Sequence, residues 1–273
     1  MVTDRIEEIE VKIADLKARW PAHSVPSSMW QELEELENEL EKAREVGKPP
    51  VNLEASPFNC LASDYDAWFN SEGKLIFAIE VQAFQRVLPL LPEPWLEVGV
   101  GSGRFAQALG IETGVDPSIK LLDMAKGRGI TVFLGRGEQE PFVAESFGTV
   151  FFIVSLCFVD LPLEVLREAY RILQPRGRVV LGLVLQESPW GRLFENKKKQ
   201  GHRFYKQATF YRHDEVVKLL GQANLTVEKV ISTLFQKPGK VEHMEMPREG
   251  FSPDAGFTVI MAGKGTSERK KLL

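Results

Sequence analysis

The stretch Trp95-Leu-Glu-Val-Gly-Val-Gly-Ser-Gly-Arg-Phe-Ala106 holds the residues best suited to chemistry with a small ligand. An apolar run carrying one acid, Glu97, leads into Gly99, Gly101 and Gly103, and a helical pattern follows at once. Glycines allow a tight turn and let a ligand lie against bare backbone, while a helix N-terminus offers unpaired amides to a carboxylate or phosphate. The spacing also fits a dinucleotide fingerprint in the frame Gly101, Gly103, Ala106. A second acid, Asp116, ends the run Thr113-Gly-Val-Asp and is suited to accept hydrogen bonds from both hydroxyls of a ribose, a feature that NAD enzymes share. Glu97 bears on the choice. A phosphate-binding turn has little use for an anion beside it, whereas a carboxylate receives the ammonium of a methionine moiety, directly or through water. The competing reading is a carboxylate that only braces the glycine turn.

The elements that must position these residues follow from periodicity. Short apolar runs at 95–99, 111–115, 130–134, 149–154 and 178–185 alternate with helical segments near 103–109, 118–127 and 162–173. Such alternation requires right-handed crossovers and a mostly parallel sheet. A helix over 71–88, with Leu75, Ile76, Ile79, Phe84, Val87 and Leu88 as apolar positions, precedes the first strand. A helix over 213–222 and strands over 225–235 and 256–263 close the domain. The expected fold is therefore α/β, a doubly wound, mostly parallel seven-stranded sheet.

Residues 4–46 read differently. Ile6, Ile9, Ile13, Leu16 and Trp20, then Met29, Leu33, Leu36, Leu40 and Ala43, recur at spacings of three and four between Glu-rich faces, which describes two amphipathic helices. Pro21 to Ser28 separate them, with Ser28 and Gln31 placed for a capping box. We expect residues 1–47 to be a helical hairpin that packs on its own domain or serves oligomerisation or partner docking, residues 48–58 a linker, and residues 59–273 the catalytic domain.

The motifs resemble those of class I S-adenosylmethionine-dependent methyltransferases of the type 11 branch. Leu-Glu97-Val-Gly99-Val-Gly101-Ser-Gly103-Arg-Phe is similar to the first motif and Gly-Val-Asp116-Pro-Ser to the second. Gly135-Arg-Gly137-Glu138-Gln-Glu-Pro141-Phe142 resembles the segment written G-D-A-E-x-L-P-F. Ser155-Leu-Cys157-Phe158-Val-Asp160 resembles the turn after the fourth strand, and Tyr170-Arg-Ile-Leu-Gln-Pro175-Arg-Gly177 the run before the fifth. The resemblance spans about residues 60–263 with the motifs in order. It implies S-adenosyl-L-methionine as cofactor, with Glu97 and the backbone of Gly99, Gly101 and Gly103 holding the methionine end, Asp116 the ribose, Gly137 and Glu138 the adenine edge, and Ser155 and Leu156 bordering the sulfonium. Two departures stand out. Arg136 replaces a common Asp, and Cys157-Phe158 replace a frequent His-His pair.

On the acceptor side, the resemblance implies a lid formed from Tyr65-Asp-Ala-Trp68-Phe69 and from Trp190 through Tyr211. Aromatics with polar tips wall an apolar pocket and supply a few directed hydrogen bonds, so Tyr65, Trp68, Cys157, Tyr205 and Tyr211 are the expected substrate-binding residues. Phe69, Phe194 and Phe204 read as core, and His202 and His213 as structural. No catalytic residue is assigned, because a general base is needed only if the acceptor must lose a proton first. No metal is expected, since no cluster of His, Cys, Asp or Glu has metal-site spacing.

The 273 residues carry 34 Lys and Arg against 38 Asp and Glu, a net charge of -4. A broad phosphate-binding field is thus excluded, and no nucleic-acid partner is expected. Two cysteines fit a reducing compartment and no apolar run approaches the ~20 residues of a membrane span, so a cytoplasmic protein with no membrane partner is expected. Three functions remain open on these grounds: a methyltransferase for a small-molecule acceptor, a non-catalytic S-adenosylmethionine-binding scaffold, and an NAD-dependent oxidoreductase. The last leaves Glu97 unexplained.

Overall fold

The structure, a computed structural model, describes residues 57–265 together with residues 8, 9, 11–13, 15, 16, 19, 32, 35 and 36. The chain divides into two compact units, Met1–Asn52 and Leu53–Leu273. In the first, residues 8, 9, 11–13, 15 and 16 are helical, as are 32, 35 and 36. Ile9 and Leu16, one heptad apart, are buried, and Lys12 bonds Glu8 one turn earlier at 2.7 Å. The rest of the expected hairpin, its turn and most of the 48–58 linker lie outside the described residues.

The second unit is built on one sheet. Strand β1 (Trp95–Val98) pairs in parallel with β2 (Thr113–Asp116) on one side and with β4 (Phe147–Ile153) on the other; β2 continues to β3 (Thr131–Leu134) and β4 to β5 (Leu173–Leu183). Strands β6 (Leu225–Thr233), β7 (Arg248–Glu249) and β8 (Phe257–Lys264) complete the order β3-β2-β1-β4-β5-β8-β6-β7, with β8 antiparallel to both of its neighbours. The sheet thus has eight strands where seven were expected. The extra one is the two-residue β7, held beside β6 because the Ser232 hydroxyl donates to the Gly250 carbonyl and accepts the Ser252 amide.

Helices cover both faces, as parallel strands require. Helices α1 (Ala62–Trp68) and α2 (Lys74–Phe84) precede the sheet, and α3 (Arg104–Leu109), α4 (Ile119–Gly127) and α5 (Pro162–Ile172) connect its parallel strands. Helices α6 (Pro189–Lys199) and α7 (His213–Gln222) follow β5. Ser188 caps α6 by accepting the Gly191 amide at 2.8 Å, with Pro189 at the first helical position, the ordinary chemistry of a helix start. The expected helix over 71–88 is shorter at both ends. Gly73 precedes it, and Pro89 falls in a separate 3-10 turn at Leu88–Leu90.

Alternate strand residues feed two apolar layers. Phe151, Ile153 and Val180 pack with α2, α3 and α4 residues such as Phe84, Phe105 and Ala125, while Val150, Phe152, Val179 and Leu181 pack with α5 and α7 through Val165, Leu166, Val216 and Leu220. The chain leaves β1 toward β2 and β3, then returns to the other side of β1 as β4. At such a reversal the crossovers diverge and leave a crevice at the carboxyl ends of the strands. Glu97, the glycines, Asp116 and Ser155 all fall there.

Candidate active site

The turn after β1 is bent by three glycines in left-handed conformation: Gly99 (φ 74°), Gly101 (φ 53°) and Gly103 (φ 79°). Gly103 is required twice over, since a Cβ there would lie 3.0 Å from both Cα and Cβ of Ala125 on α4. The loop is fastened to β2. The Gly99 and Val100 amides donate to the Val115 carbonyl at 2.8 and 3.1 Å, and the Gly101 amide donates to Asp116 Oδ2 at 2.9 Å. Asp116 Oδ1 accepts the Ser118 amide at 2.8 Å. Each Asp116 oxygen therefore supports one backbone amide and keeps a further lone pair for another donor. Burial pushes the Asp116 carboxyl up to about 6, against the pull of those two amides.

Glu97 is almost completely buried, and its Oε2 has no hydrogen-bond partner. Burial first, and the neighbouring Asp116 second, raise its pKa well above the carboxylate range, while the Ala106 backbone pulls the other way. A carboxylate held in this way is stabilised by an arriving cation. In the loop after β3, Gly137 is buried, with Val98 Cγ1 3.0 Å and Val165 Cγ1 3.1 Å from where its Cβ would be. Glu138 beside it has a buried Oε1 without a partner. Arg136 turns to Glu138 Oε2, at 3.4 Å, and to Asp160.

The turn after β4 begins with Val154 at φ 52°, a conformation that strains a β-branched residue. Its amide is held by the Gly182 carbonyl at 2.9 Å. Ser155 then lies directly against Gly99, and its hydroxyl donates to the Val98 carbonyl at 2.7 Å. The Leu156 side chain is fully buried in the α5–α7 layer. The Cys157 thiol is pushed up to about 12 by burial and donates weakly to the Val154 carbonyl, which makes it a neutral wall rather than a nucleophile.

Two segments meet at this end. Tyr65 on α1 lies over the glycine turn, its Cε1 3.6 Å from where a Gly101 Cβ would be. Burial raises its phenol first, and Glu97, Asp116, Glu80 and Cys157 raise it further, in that order. Tyr205 stacks on Phe194 with centroids 4.5 Å apart and on His202 at 4.9 Å. Burial pushes it up to about 12, with Cys157 and Glu80 contributing. The Thr209 amide donates to the Cys157 carbonyl at 2.7 Å, and Arg203 Nη1 reaches Asp64 Oδ2 at 2.8 Å, so the second segment touches both the β4 turn and α1. The segments that carry Tyr65, Cys157 and Tyr205 are thus brought together. Tyr211 packs in the α5–α7 layer, with Cys157 raising its phenol after burial does. Trp68 covers Gly73 and meets the aromatic group edge-on through Phe69, at 5.1 Å.

Two features of the site were not foreseen. Asp66 accepts both Arg104, at 2.8 and 2.7 Å, and Arg128, at 2.9 Å to each oxygen, which ties α1 to the residue that follows Gly103. Glu80, on α2, is buried one turn after Phe77, whose ring stands edge-on to Phe69 at 5.3 Å, and it raises the phenols of Tyr65 and Tyr205. Its sequence signal was available: an acid between Ile79 and Ala83 on the core side of an otherwise apolar helix.

A family model of the methyltransferase domain, type 11, matches residues 96–181, the span from β1 into β5. An uncharacterized protein of Mycobacterium tuberculosis is 37% identical over 211 residues, 77% of this chain and 74% of that one. An uncharacterized protein of Methanocaldococcus jannaschii is 36% identical over 209 residues, 76% and 98% of the two chains. A Thermotoga maritima protein of known crystal structure, described as a SAM-dependent methyltransferase, possible histamine N-methyltransferase, is 37% identical with a TM-score of 0.72, covering 77% of this chain and 99% of its own. The chain belongs to the S-adenosylmethionine-dependent methyltransferases. The methyltransferase's motifs lie in β1, β2, the loop after β3, the β4 turn and β5. Among its described residues no helix is long and apolar enough to cross a membrane, and no cluster of His, Cys, Asp or Glu is placed to hold a metal ion.

Proposed function

We propose that this methyltransferase moves the methyl group of S-adenosylmethionine to a small-molecule acceptor held between Tyr65 and Tyr205. The observation that carries the reading is the Glu97 carboxylate, buried with Oε2 unpartnered beside three left-handed glycines. When bound, the donor supplies an electrophilic methyl group on a sulfonium. Glu97 and the Gly99–Gly103 backbone hold its methionine end, the spare lone pairs of Asp116 accept from the ribose, and Glu138 Oε1 with the Gly137 backbone meets the adenine edge. Ser155 and the Leu156 backbone border the sulfonium. Tyr65, Cys157 and Tyr205 then orient the acceptor and exclude water, the main tasks in an in-line displacement; Trp68 and Tyr211 support the two lid segments from outside.

Residues 1–47 serve this domain as a helical hairpin for oligomerisation or partner docking, joined by residues 48–58 to the methyltransferase domain at 59–273; the buried Ile9 and Leu16 support an apolar stripe. The cysteine usage and absence of a basic field support a cytoplasmic enzyme without a nucleic-acid partner. The reading is tested by incubating the protein with methyl-labelled S-adenosylmethionine and a panel of small amines, phenols, thiols and carboxylic acids, in parallel with RNA and mixed protein. Histamine, named in the description of the Thermotoga relative, belongs in that panel. Label entering a small molecule supports the reading; label entering only RNA or protein refutes it.

A further inference from the structure

The Glu80 side chain is used by none of the contacts above. Its neighbours on α2, Ile79, Ala83 and Phe84, are fully buried core residues, and Glu80 itself is only 6% exposed. Its carboxylate makes no hydrogen bond or ion pair with any described residue. Burial alone pushes it up to about 8. A leucine or methionine would pack at this position without the desolvation that an unpartnered buried acid costs. The carboxylate needs a partner that the chain does not supply.

The surroundings indicate what that partner is. Glu80 lies one turn after Phe77 on α2, on the same helix face; the Phe77 ring stands edge-on to Phe69 at 5.3 Å, and Tyr65 beside Phe69 lies on the glycine turn at Gly101. Glu80 also raises the phenols of Tyr65, from the first lid segment, and of Tyr205, from the second. The walls are otherwise aromatic: Phe69 stands edge-on to Tyr65 at 5.3 Å and Phe194 stacks on Tyr205. A carboxylate acceptor would hold Glu80 in its protonated form and add an anion to a site that already contains Glu97 and Asp116. A neutral apolar acceptor would leave Glu80 unpaired. A basic nitrogen satisfies it, because amine and carboxyl share one proton whichever of them formally carries it, and the ring faces favour a cation.

We infer that Glu80 is the specificity-determining residue of the acceptor pocket and that the acceptor carries a basic nitrogen held against the Glu80 carboxylate. This rests on the reading that the space between Tyr65 and Tyr205 is the acceptor site. The test is calorimetric titration of the full-length protein, saturated with S-adenosylhomocysteine, with histamine, tyramine and tryptamine and with the alcohols tyrosol and tryptophol. Tyramine and tryptamine bind at least about tenfold more tightly than their matched alcohols, as expected when a buried charged partner is left unpaired by the alcohol. Glu80→Gln and Glu80→Leu remove that preference, bind S-adenosylhomocysteine as the wild type does, and unfold at the same or a higher temperature, whereas loss of a merely structural acid lowers it. Amine and alcohol binding alike, no amine binding, or a preference that survives in both variants overturns the inference. Failure of the wild type to bind S-adenosylhomocysteine instead overturns the donor-site reading beneath it.

Discussion

The Gly101 amide donates to Asp116 Oδ2 across 2.9 Å, so the acid at the end of β2 holds the glycine turn at the end of β1 in place. One carboxylate thereby shapes the floor of the donor site and, on the proposed reading, contacts the donor itself. Asp116→Ala removes both roles. It is expected to raise the Kd for S-adenosylmethionine by about tenfold or more and to lower stability by about 1–3 kcal/mol, because the Gly101 and Ser118 amides lose their acceptor. Calorimetry and urea unfolding measure the two effects, and an unchanged affinity removes the ribose assignment.

The glycines of the turn are not equivalent. Both Gly101 and Gly103 have a left-handed φ, but at Gly103 a methyl group meets the Ala125 backbone at 3.0 Å, whereas at Gly101 the nearest atom is in the Tyr65 ring at 3.6 Å. Gly103→Ala is expected to lose about 2–4 kcal/mol of stability and Gly101→Ala about 1 kcal/mol. Gly101→Ala instead acts on ligand binding by placing a methyl group on the face of the turn, in van der Waals contact with Tyr65. Urea denaturation with equal m-values for both variants checks the order; a less stable Gly101→Ala protein would contradict it.

Asp66 is the fastening of α1. Hydrogen bonds from Arg104 and Arg128 hold its carboxyl well below the usual range despite partial burial. Because the folded-state pKa is depressed, the stability it contributes is present above pH ~4, the ordinary value for Asp, and is lost as pH falls further. Asp66→Ala leaves two partly buried guanidinium groups unpaired and is expected to cost about 3 kcal/mol at neutral pH. The difference from wild type shrinks on acidification. Thermal unfolding from pH 7 to pH 3 measures it, and a pH-independent difference would show that the ion pairs are not its source.

Much of this arrangement was legible in the sequence because periodicity and motif order are local properties. The strand-turn-helix at Glu97–Ala106 and the acid at Asp116 announce their positions by spacing alone. What was not legible depends on contacts made across the fold. Nothing local in Asp66 indicates that Arg104 and Arg128 converge on it from 38 and 62 residues away. Trp68 and Tyr65 share a short helix, yet three residues of separation put one over Gly73 and the other over Gly101. Leu156 belongs to the motif through its backbone while its side chain fills the opposite layer. The eighth strand is two residues held by the hydroxyl of Ser232, too short to leave a periodic signal.

The most direct test of the donor site is calorimetric titration of the purified protein with S-adenosylmethionine, S-adenosylhomocysteine and NAD in parallel. Both adenosyl ligands are expected to bind at one site per chain, and NAD is expected not to bind. Binding of NAD alone would contradict the donor-site reading, because the unpartnered Glu97 would then serve no cation and the glycine turn would be a dinucleotide site.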